Sequence, residues 1–99
     1  MNQKECHSLE EVRQEIDTID DQILELMAQR NNYIKQAAHF KQSVEEVKAP
    51  ERIEYVLERV RHKALTHGLN PHLVSKIYEQ MIEEMVESEI AQFRDIKGF

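Results

Sequence analysis

Ten positions between Leu9 and Phe40 fall on strictly alternating steps of three and four residues. They read Leu9, Val12, Ile16, Ile19, Ile23, Leu26, Arg30, Tyr33, Ala37 and Phe40. Nine of the ten are apolar or aromatic, which marks one face of a helix. No Gly or Pro interrupts the run before Pro50. The pattern therefore predicts one helix over residues 9–41, about 50 Å long at the usual helical rise. A 99-residue chain builds a single domain, here residues 1–99, with a thin core. A rod of that length cannot bury its whole stripe against so little protein. The simplest remedy is a second copy, with the long helices paired antiparallel in an intertwined homodimer.

The remaining punctuation sets the order of elements. Ser8-Leu9-Glu10-Glu11 fits a capping box, with Glu11 expected to reach back to the Ser8 backbone N–H. Residues 42–49 have weak periodicity and read as a connecting loop. Pro50 and Glu51 suit the first turn of a second helix. Its apolar face is Ile53, Val56, Leu57, Val60 and Ala64, and Gly68 is its natural stop. Asn70-Pro71 opens a third helix whose face runs from Val74 through Ile77, Tyr78, Met81, Ile82, Met85, Val86 and Ile90 to Phe93. Lys97-Gly98-Phe99 reads as a frayed end. The fold class expected is all-α, with three helices: one long, one short, one medium.

Charge and motifs exclude several classes. A net charge of −6 makes nucleic acid and anionic membrane poor partners. No apolar run approaches the roughly 20 residues that span a bilayer. Met1–Ser8 lacks the apolar stretch of a signal peptide, and the lone Cys6 fits a reducing compartment, so a cytoplasmic location is expected. His7, His39, His62, His67 and His72 show no metal-ligand spacing. Asp17 and Asp20 sit near the helix start, where acids favour the dipole. With no Gly-rich phosphate loop, activated serine or dinucleotide fingerprint, the expected chemistry uses no cofactor, no metal and no covalent nucleophile.

Cations stand where apolar residues belong. Arg30 occupies the stripe between Leu26 and Tyr33; it either pairs internally or snorkels to water, or it binds an anion. Lys41 follows about 16 Å along the same face, within reach of one small anion shared with Arg30. Arg13 lies about 25 Å before Arg30 and cannot share that ligand within one chain. An antiparallel partner would bring its own Arg13 to the Arg30 region. Arg52 enters from the first turn of the second helix, as a solvated surface residue or as a fourth cation of a pocket for a dianion. Glu89 sits near the apolar face of the third helix. It is either an edge charge paired with a basic residue or a carboxyl beside the cationic pocket.

Arg13-x-x-Ile16-Asp17-x-Ile19-Asp20, then Arg30, Lys41 and Ala49-Pro50-Glu51-Arg52, resemble the all-helical chorismate mutase family from about Cys6 to Phe93. The likeness is greatest to its isochorismate pyruvate lyase branch, which forms salicylate for siderophores. The resemblance implies an intertwined dimer with two shared sites and a small dicarboxylate substrate, isochorismate or chorismate. It implies that Arg30, Arg52 and Arg13 of the partner subunit bind the substrate carboxylates. Lys41 would donate to the ether oxygen as its bond to the ring breaks. Glu89 stands where many relatives carry Gln, and would have to be protonated to donate to that oxygen. Dedicated mutases of the family carry acids three residues before and one after the arginine matching Arg52; here these are Ala49 and Ile53. The implied main activity is therefore pericyclic loss of pyruvate from isochorismate, with secondary chorismate mutase activity. Two alternatives are chorismate mutase as the main activity, and a non-catalytic helical dimerisation or regulatory module.

Overall fold

The computed structural model describes residues 3–98. Its elements are α1 (Leu9–Ala37), a 3₁₀ turn (Ala38–Phe40), α2 (Val44–Lys48), α3 (Pro50–Thr66) and α4 (Pro71–Lys97). The three long helices follow the expected order, and no strand occurs among the described residues. No helix among them is long and apolar enough to cross a membrane. Contacts divide the chain between Asn32 and Tyr33 into two compact units.

The N-terminal unit holds most of α1. The Glu11 N–H donates to Ser8 Oγ at 3.1 Å, as the capping box requires. The return bond differs: Glu11 Oε2 accepts from the His7 N–H at 2.9 Å rather than from Ser8. The satisfied donor is thus one residue earlier than expected. Glu10 and Glu11 place negative charge against the helix N-terminus. No residue of α1 is buried in the single chain, and Ile16, Ile19 and Ile23 each remain about half exposed.

The C-terminal unit corrects two expectations. The first helix ends at Ala37, not at residue 41, and tightens into the 3₁₀ turn before Lys41 adopts an extended conformation. The reason is packing. Ala38 is fully buried with Val47 and Phe93, whereas Phe40 stays 82% exposed in the single chain. The second correction concerns residues 42–49, expected to be a loop, where α2 forms instead. Ser43 caps it by accepting from the Glu46 N–H at 3.2 Å, and Val47 anchors it in the core. Five residues are too few to display a period, so only the Ser43-x-x-Glu46 spacing signalled it.

Ala49 closes α2 in the left-handed region, at φ 36° and ψ 61°. An L-residue with a Cβ is held there at a cost of about 1–2 kcal/mol. Pro50 disfavours the right-handed helical region for its predecessor and starts α3 immediately after the turn. α3 stops where Gly68 takes φ 70°, and Asn70 Oδ1 caps α4 by accepting from the His72 N–H at 2.9 Å. α3 and α4 pack together, burying Val60 and Ala64 of the one and Ser75, Ile82 and Met85 of the other. Arg61 Nη1 donates to Ser75 Oγ at 3.1 Å, satisfying the polar group that this packing buries. α4 takes in Lys97, the first residue of the expected frayed end, and closes at Gly98 with φ 77°; Phe99 lies outside the described residues.

Candidate active site

Ile82, Met85, Glu89 and Phe93 recur at steps of three and four along α4, and all four are buried. Glu89 therefore occupies a core position, not the edge of the stripe. An ionised carboxyl there requires a partner, because burial penalises the charged form. Lys41 supplies it from the extended residue after the 3₁₀ turn. Its Nζ lies 3.3 Å from Glu89 Oε2, with the lysine side chain 25% exposed and the glutamate 4%. Nζ also donates to the backbone carbonyl of Glu46 in α2 at 3.0 Å.

The approach to Glu89 is charge against charge. Oε2 is buried, with the Lys41 ammonium 3.3 Å from it. Burial pushes the Glu89 pKa above the ordinary glutamate value, and the neighbouring Lys41 charge pulls it partly back. Burial prevails. The carboxyl thus holds its proton more tightly than a solvated glutamate would, with the Lys41 ammonium beside it.

The other expected site residues are three arginines. Arg52, exposed in the first turn of α3, stacks on its own helix, with its guanidinium carbon 5.1 Å from the Tyr55 ring centroid. Arg13 and Arg30 belong to the N-terminal unit; Arg13 is exposed and Arg30 half-buried. The structure thus brings Lys41 and Glu89 together and places the three arginines on α1 and α3. Sequence reasoning missed Glu46, whose carbonyl holds Lys41, and Tyr55, which braces Arg52. A capping spacing and an aromatic three residues after an arginine were the available signals. Among the described residues, no three His, Cys, Asp or Glu side chains gather into a metal-binding group.

The family model described as chorismate mutase type II matches residues 12–90. The chain belongs to this family. The matched span contains Arg13, Arg30, Lys41, Arg52 and Glu89. An isochorismate pyruvate lyase of Pseudomonas aeruginosa is 30% identical over 95 residues, covering 96% of this chain and 94% of that protein. A chorismate mutase of Methanocaldococcus jannaschii is 36% identical over 76 residues, covering 76% of this chain and 77% of that protein. As a chorismate mutase family member the chain is an enzyme, which sets aside the non-catalytic dimerisation module. The family's reactions on chorismate and isochorismate are pericyclic. They proceed by holding the substrate in a reactive shape and stabilising charge as it develops.

Proposed function

We propose that the chain is an isochorismate pyruvate lyase that forms salicylate and pyruvate, with a secondary chorismate mutase activity. The observation that carries this reading is the pairing of Lys41 with the buried Glu89, 3.3 Å apart. In the elimination the ether bond to the ring breaks while a ring hydrogen passes to the enolpyruvyl methylene. The ether oxygen becomes the carbonyl of pyruvate, and the ring becomes aromatic. Lys41 donates to that oxygen as negative charge develops there. Glu89 contributes a second donor in its protonated form, which its burial favours and which a dianionic substrate favours further. Arg30, Arg52 and Arg13 of the partner subunit bind the substrate carboxylates through paired N–H donors.

The working unit we infer is a cytoplasmic homodimer in which residues 1–99 act as one domain. Its support is the open stripe of α1, where Ile16, Ile19 and Ile23 stay about half exposed in the single chain. Full burial of each such side chain stabilises by roughly 1.5–3 kcal/mol. An antiparallel second α1 covers that stripe and carries the partner's Arg13 to Arg30, a separation of about 25 Å within one helix.

Ala49 and Ile53 favour the lyase over the mutase, since neither offers a carboxylate to the chorismate ring hydroxyl. The breadth of the match to the Pseudomonas lyase supports the same choice. The second reading, chorismate mutase as the main activity, is favoured by the 36% identity to the Methanocaldococcus enzyme. Purified protein should be given isochorismate and chorismate separately, following salicylate, pyruvate and prephenate. The lyase reading expects equal amounts of salicylate and pyruvate, and a higher kcat/KM on isochorismate. Prephenate as the sole product would overturn it in favour of the mutase.

A further inference from the structure

We propose that Ser43 and Glu46 are positioning residues for Lys41: their cap builds a turn whose Glu46 carbonyl holds the Lys41 ammonium beside Glu89. The proposal rests on the reading of Lys41 as the donor to the ether oxygen, and goes beyond it. α2 has five residues, far below the roughly 12–15 that sustain a helix alone. It exists because its ends are tied. Glu46 is engaged three times. Its N–H donates to Ser43 Oγ at 3.2 Å, its Oε2 accepts from the Gln42 N–H, and its carbonyl accepts from Lys41 Nζ at 3.0 Å.

The third bond has a cause in the sequence. The helical donor to the Glu46 carbonyl would be the N–H of residue 50, and residue 50 is proline. That carbonyl is left without its helical partner, and the lysine takes the place. Lysine carries several rotatable bonds, so a free ammonium would spend most of its time away from Glu89. Gln42, bonded to Glu46 on one side, directly follows Lys41, and Val47, 2% exposed in the core, fixes the other side. The turn therefore clamps the lysine from both directions: its backbone through Gln42 and its tip through the carbonyl.

The test compares Ser43→Ala and Glu46→Ala with the conservative Ser43→Thr and Glu46→Gln, and with Lys41→Ala, in the full chain. Two quantities are read: kcat and KM, and the Glu89 carboxyl titration followed by carbon NMR without ligand. Lys41 is the charged group that lowers the Glu89 pKa, so its release shows directly as an upward displacement of that titration. Ser43→Ala and Glu46→Ala should raise the Glu89 titration and lower kcat roughly five- to tenfold with KM little changed, the loss expected of a removed cap. Ser43→Thr and Glu46→Gln keep an acceptor and should restore both readings. Unmoved titration in Ser43→Ala and Glu46→Ala overturns the proposal, even if kcat falls, because a merely structural defect would do that. If the titration moves while Lys41→Ala keeps wild-type kcat, the positioning stands and the donor role of Lys41 falls. Should Ser43→Ala fail to fold, Glu46→Ala against Glu46→Gln decides the same question.

Discussion

Replacing Lys41 by Met keeps an apolar stem of similar length and deletes the ammonium that stands 3.3 Å from Glu89 Oε2 and 3.0 Å from the Glu46 carbonyl. Two consequences follow, and pH separates them. The catalytic one is loss of a charge-assisted donor that acts chiefly in the transition state. Such a contact is worth about 2.7–4 kcal/mol, so kcat should fall roughly 10²–10³-fold with little change in KM. The other consequence is for stability. Glu89 is 4% exposed and would lose its counter-charge, a change that costs up to about 3–5 kcal/mol where the remaining charge cannot be neutralised. Glu89 can be neutralised by taking a proton. Its folded-state pKa is already raised by burial, and removing Lys41 raises it further. A raised carboxyl pKa means that the folded state binds the proton more tightly than the unfolded chain. The associated stability is fully present below the unfolded pKa and is lost as pH rises through the folded one. Lys41→Met should therefore match the wild type in acid and fall behind it as pH climbs. Lys41→Met combined with Glu89→Gln removes both charges and should regain much of the stability without regaining activity. Urea unfolding across a pH series and steady-state kinetics on both substrates make the measurement. Wild-type kcat on both substrates would refute the donor role. A stability deficit independent of pH would refute the coupling of the pair.

Glu89→Gln supplies a permanent donor of similar shape, so the decline of kcat as pH rises through the Glu89 pKa should flatten. Superimposed kcat profiles for the two proteins would remove Glu89 from the chemistry. Mixing Arg13→Ala chains with Arg30→Ala chains should regenerate activity in about half of the sites of each heterodimer, since one site then carries both defects and the other neither. Verified subunit exchange without recovery would mean that each site draws on one chain. Phe93→Ala opens a hole beneath Ala38 and Val47, the two core residues on either side of Lys41, and should destabilise by about 3–5 kcal/mol. A thermal midpoint close to wild type would place Phe93 outside the core.

Several element boundaries, though not the end of α1 or the presence of α2, could be read from residues close together in the chain. Ser8 and Glu11, Pro50, Gly68, and Asn70 with Pro71 each act on backbone groups within a turn of themselves, so their effects are written into local spacing. The apolar steps from Leu9 onward likewise specified a long helix before any packing was known. Where burial begins and ends was not legible in the same way. Ala38 turns inward because Val47 and Phe93 meet it there, and both come from other elements. α2 escaped the periodic reading because a five-residue helix owes its existence to a cap and to one anchored valine. Glu89 could be placed near an apolar face from its spacing alone. Its depth, its contact with Lys41 and the direction of its pKa depend on groups far away in sequence. Helix formation is a property of neighbours along the chain; the charge state of a buried carboxyl is a property of neighbours in space. For that reason the residue types of the site were visible in the sequence, while the pairing of Lys41 with Glu89 required the fold.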